Sequence, residues 1–96
     1  MTVGIVAMLK VAAGKNAEFE AVFAEMARGT HSSEPGCNFY ALHKSKTDPQ
    51  LYVVLEQYKD MAAIKAHQES AHFKAGFAKM GPLLGGAPEI ELLDGV

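Results

Sequence analysis

The stretch "HQESAHFK" carries two imidazoles, His67 and His72, five residues apart. In one unbroken helix that spacing turns them about 140° away from each other, at roughly 100° per residue. Helical zinc motifs instead set two histidines four apart on one face. No cysteine pair accompanies these rings, so the spacing argues against a metal centre and none is expected. A chain break at Ser70, a residue suited to an N-cap, alters the geometry. His67 then closes one segment, His72 opens the next, and both rings can turn toward a common cavity between helix and sheet. At a helix amino end the dipole favours a neutral His72 ring, the form a general base requires near physiological pH. The plainer alternative is a pair of half-exposed histidines bonded to backbone.

Glu56 is the third candidate. It interrupts the apolar run "LYVVLEQY" on the parity of Tyr52, Val54 and Tyr58. A carboxylate in mid-sheet loses hydration and needs a partner. One reading is an ion pair at an edge or facing a second subunit. The sharper one is a hydrogen bond from His67 or His72 to Glu56, which fixes the tautomer and raises the basicity of the ring. The catalytic candidates are therefore His72, His67 and Glu56. Around them, Tyr40 offers a phenol to a ligand oxygen, and His43 either lines the pocket or marks the polar end of its strand. Phe73 and Phe77, core residues by spacing, double as an apolar wall for a small flat molecule, with Tyr58 on the parity of Glu56. Cys37 has no basic neighbour in sequence and reads as a small buried hydrophobe.

The elements that must hold these residues follow from pattern. Residues 3–11 are apolar on both parities, a strand covered on both faces. Asn16 is placed to cap a helix whose stripe is Phe19, Val22, Phe23, Met26 and Ala27. Gly29 weakens that helix near its end, and "SSEPG" stops it, since Pro35 disfavours a helical Glu34. Residues 37–45 and 51–59 form two strands joined by the turn "KTDPQ". Asp60 caps a short helix carrying Met61 and Ile64, and Ser70 caps another whose buried stripe is Phe73, Phe77 and Met80. "GPLLGGAP" connects to a last strand with Ile90 and Leu92 on one face. The order β-α-β-β-α-β predicts an α+β, ferredoxin-like sandwich over a single domain, residues 1–96. Both helices cover one face of the sheet. The other face is also apolar, a patch too large for a typical monomer, so a homodimer with sheets packed face to face is expected.

The chain has 96 residues and a net charge of -2, from nine basic and eleven acidic side chains. Its lysines are scattered and Arg28 is the sole arginine, which excludes the clustered cations that nucleic-acid binding demands. One cysteine allows no internal disulfide. No run approaches the ~20 apolar residues of a membrane span, and the amino terminus lacks a secretion signal. A cytoplasmic setting is expected.

The segments "LKVAAGKNAEFE", "SSEPGCNFYALHKS", "LYVVLEQYKD" and "AHQESAHFKA", followed by an apolar tail, resemble the antibiotic-biosynthesis-monooxygenase-like family of small dimeric α+β barrels. That family includes quinol monooxygenases and an isomerase of a phosphorylated autoinducer. Its members often carry a tryptophan two residues after the strand-three glutamate, where this chain has Tyr58. The absence of any tryptophan departs from the haem-degrading branch. The resemblance implies a cofactor-independent monooxygenase acting on a small phenolic or quinol-like compound with dioxygen, by way of a His–Glu pair. Two other functions remain open. One is an isomerase of a small hydroxyketone, for which Lys10 or Lys44 near the pocket mouth would favour a phosphorylated substrate. The other is a dimeric binding protein without catalysis.

Overall fold

A computed structural model describes residues 1–96. The elements are β1 (Val3–Lys10), α1 (Asn16–Ser33), β2 (Cys37–Lys44), β3 (Leu51–Tyr58), α2 (Met61–Glu69), α3 (Ala71–Met80), a 3-10 turn at Gly81–Leu83 and β4 (Glu89–Asp94). The strands form one antiparallel sheet in the order β2-β3-β1-β4. This is the expected α+β ferredoxin-like plan, with its second helix divided at Ser70.

Strand alternation decides which side chains meet the helices. Ile5, Ala7 and Leu9 of β1, Tyr52, Val54, Glu56 and Tyr58 of β3, and Tyr40 of β2 are buried on the helical side. Phe19, Phe23 and Met26 of α1 and Met80 of α3 close over them as the main core. Full burial of one such Phe contributes roughly 1.5–3 kcal/mol. Ile5, Tyr58 and Ile64 form a smaller cluster beside α2.

The opposite face of the sheet carries Met8, Phe39, Leu55 and Leu93, all exposed. All six residues of β4 are exposed, and register pairs its Ile90 and Leu92 with Ala7 and Ile5 on the helical side.

Three local expectations are corrected. Asn16 begins α1 without capping it; its amide donates to Pro49 O (2.8 Å) and Tyr52 Oη (3.0 Å), tying α1 to the β2–β3 turn. A bulge between Cys37 and Phe39 breaks the alternation of β2, so Cys37 pairs with Tyr58 and packs against the core. Met61 is exposed although it opens the helix that buries Ile64.

Gly29 lies within α1, which runs on to Ser33 and stops at the expected "SSEPG". It is there for close approach: a Cβ at this position would stand 2.6 Å from the Cβ of His72. Gly76 of α3 serves the same purpose, since a Cβ there would fall 2.1 Å from Met26 Cγ. The two glycines let α1 and α3 press together and seat His72.

Candidate active site at the α2–α3 junction

Three backbone events position the site. Pro35 forbids a further helical turn, so α1 ends with the Glu34 amide donating to Thr30 O at 3.0 Å, and the Glu34 side chain is left at the end of the helix. Asp60 caps α2 by accepting from Ala63 N at 2.9 Å. Ser70 accepts from Phe73 N at 3.3 Å and donates to His67 O, ending α2 and starting α3 in one residue. The divided helix turns His67 and His72 toward each other, with ring centroids 6.3 Å apart.

The carboxylate they share is Glu34, not Glu56. His67 Nδ1 lies 3.0 Å from both Oε1 and Oε2 of Glu34, and His72 Nε2 bonds Oε2. A carboxylate only accepts, so both ring nitrogens donate. Glu56 accepts instead from the Tyr58 hydroxyl at 2.7 Å. The expected bond from an imidazole to Glu56 is thus corrected, because the end of α1 brings a nearer oxygen to the rings.

With Nδ1 committed, the neutral His67 ring carries its lone pair on Nε2. That atom is buried and has no hydrogen-bond partner. His67 is 3% exposed and packed among Tyr40, Tyr58 and Phe73, with centroid distances of 5.1, 5.3 and 4.8 Å. A cavity of about 320 Å³ lies between helix and sheet, lined by Ile5, Glu56, His67, Gln68, Phe73, Phe77, Pro88 and Ile90. A smaller apolar recess of about 80 Å³, bordered by Tyr40, shares Glu56, Phe73, Phe77, Pro88 and Ile90 with it.

Burial sets the protonation of both polar groups. Desolvation outweighs the Glu34 carboxylate and holds the His67 ring below its ordinary pKa, so the ring is neutral near pH 7. Burial pushes the Glu56 carboxyl up to about 7; the Tyr58 bond opposes this and the Glu34 charge adds to it. The Tyr58 and Tyr40 phenols are both raised, first by burial and then by the Glu56 charge, so they stay protonated donors. Desolvation likewise lifts the Cys37 thiol to about 11, in keeping with a hydrophobic role.

Of the residues singled out from sequence, His67, Glu56, Phe73 and Phe77 meet at one cavity, with Tyr40 at the adjoining recess. His72 does not reach that cavity. It borders a second one of about 430 Å³ on the other side of Glu34, lined also by Cys37, Lys59, Asp60 and Ser70. The two imidazoles share a carboxylate and open onto different spaces.

His43 is exposed on the helix-free face, because strand alternation puts Tyr40 and Leu42 on the helical side. It is therefore not a pocket residue. Tyr58 is fully buried and its hydroxyl is spent on Glu56, so it positions that carboxyl and does not face a ligand. Lys10 and Lys44 pair with Asp48 and Glu20, and neither lines the cavity. Glu34 is the residue that pattern reading missed. Its only local signal is a carboxylate set immediately before a Pro-Gly helix stop.

A buried imidazole and a buried carboxyl line one cavity on the helical side of a ferredoxin-like sheet. The profile of the antibiotic biosynthesis monooxygenase family matches residues 2–79, and the chain belongs to that family. It is 34% identical over 82 residues to "Putative monooxygenase YcnE" of Bacillus subtilis (strain 168), covering 85% of this chain and 84% of that protein. A "putative antibiotic biosynthesis monooxygenase" from Caulobacter crescentus CB15 superposes with a TM-score of 0.97 at 49% identity, over 99% of this chain and 90% of its own. A conserved protein from Methanosarcina mazei Go1 gives 0.93 at 27% identity, over 97% and 91%. No helix is long and apolar enough to cross a membrane.

Proposed function

We propose that this protein is a cofactor-independent monooxygenase of a small phenolic or quinol-like compound. One observation carries the reading: a buried imidazole nitrogen without a partner, His67 Nε2, belongs to a ring that lines an apolar cavity while Glu34 holds the other ring nitrogen. This arrangement suits a general base, in which the carboxylate orients the ring and offsets the charge it gains.

His67 Nε2 takes the phenolic proton. Glu56, whose carboxyl titrates at about 7, exchanges the second proton. The electron-rich anion passes an electron to dioxygen, and the radical pair joins as a ring hydroperoxide. Loss of water then leaves one oxygen atom on the ring, so a quinol and dioxygen give a hydroxyquinone and water. Phe73, Phe77 and Ile90 give the anion an apolar wall. About 320 Å³ is at the small end of ligand pockets and suits one or two rings. No lysine or arginine lines it, which disfavours a phosphorylated substrate.

The working unit in this proposal is a homodimer joined through the apolar helix-free faces of the two sheets, with Phe39 and Leu55 in the contact.

Oxygen consumption with a panel of quinols tests the reaction. His67→Gln is expected to lower the rate about 10²–10⁴-fold, as loss of a general base does. Uptake unchanged in this variant defeats the proposal, and substrate turnover without oxygen consumption assigns the same residues to an isomerase.

A further inference from the structure

We propose that Glu34, His67 and His72 form a binding site for a divalent transition-metal ion of the zinc type, and that this ion switches the cavity off. The ligand-capable atoms, one carboxylate oxygen and two imidazole nitrogens, all lie within 4.8 Å of one another. His67 Nδ1 stands 3.0 Å from both Glu34 oxygens, and His72 Nε2 is already in contact with Oε2. A tetrahedral zinc ion keeps its ligand atoms about 3.3 Å apart, so both ring nitrogens must draw back slightly from the carboxylate to admit it.

Two histidines and a glutamate match the three-ligand zinc sites that keep a fourth position open. Glu34 and His72 also line the cavity of about 430 Å³, which has room for a water in the fourth position. Mixed nitrogen and oxygen donors select zinc, cobalt, nickel or copper over magnesium and calcium. The three ligands come from the end of α1, the end of α2 and the start of α3. Gly29 and Ser70 hold two of those segments in place.

Occupation changes what His67 presents to the other cavity. Nδ1 now donates to Glu34. To bind the ion it must offer its lone pair, and the ring proton moves to Nε2. The ring stays neutral, and Nε2 turns from acceptor to donor. Inhibition follows only if His67 is the base proposed above; the binding of the ion does not depend on that.

The experiment titrates Co²⁺, followed by visible absorption, and Zn²⁺, followed by calorimetry, into chelator-treated untagged protein. One ion per chain is expected. Glu34→Gln and His72→Gln are each expected to weaken binding by about 10–100-fold or more, while His31→Gln and His43→Gln leave it unchanged. His72→Gln alters a part-exposed ring and keeps the test open should Glu34→Gln fail to fold. No saturable binding, or binding that survives in both Glu34→Gln and His72→Gln, overturns the site. Zinc bound at full occupancy without slowing oxygen uptake upholds the site and overturns His67 as the base. Uptake by the wild-type protein with no metal binding overturns the site alone.

Discussion

Replacing Glu56 with glutamine separates the cost of the site from its use. Burial lifts this carboxyl from 4.5 to about 7. Between those values the native chain holds a proton that the unfolded chain has released. Stability therefore falls as pH rises: the contribution is fully present below 4.5 and is lost through about 7. At about 1.4 kcal/mol per pH unit, the interval corresponds to about 3 kcal/mol. Glutamine cannot ionise, and its carbonyl oxygen still accepts the Tyr58 bond, so Glu56→Gln removes this slope.

The depressed His67 pKa has the opposite sign and erodes stability as pH drops below about 6.5. It is common to both proteins and cancels in the difference. Urea and thermal unfolding from pH 5 to 8, at one protein concentration because the proposed dimer would shift the midpoint, provide the measurement. The variant is expected to match the parent near pH 5 and to melt roughly 10 °C or more higher at pH 8, with oxygen uptake reduced. Parallel pH profiles, or a parent more stable than the variant at pH 8, would refute the claim that Glu56 is a strained, desolvated acid.

Gly29→Ala puts a Cβ against His72 and is expected to cost about 1–3 kcal/mol by overpacking; thermal unfolding checks the loss, and an unchanged midpoint would show that His72 is not seated there. Leu55→Asp plants a charge in the apolar helix-free face and is expected to yield a monomer in sedimentation equilibrium. A wild-type monomer at the same concentration would remove the dimer from the proposal.

Much of the architecture was legible because it follows local rules. Alternation in β1 and β3 separated the helical side from the open side, and Pro35, Asp60 and Ser70 marked the helix ends. The exposed position of His43 obeys that same alternation. What escaped was decided at long range. Glu34 and His67 are 33 residues apart, and nothing near either predicts that the end of α1 abuts the α2–α3 junction. Glu56 looked like the partner of the histidines because it was the conspicuous acid, whereas Tyr58, two residues away, already satisfied it. The bulge after Cys37 and the use of Asn16 as a brace to the β2–β3 turn likewise depend on partners absent from their neighbourhoods.

Because both rings hang from one side chain at the tip of α1, the two hollows they border cannot be tuned separately. A nudge to that tip, whether from a mutation in the outer pocket or from a molecule lodged there, reaches the His67 ring on the far side. Engineering a new substrate into one hollow therefore means retesting the other.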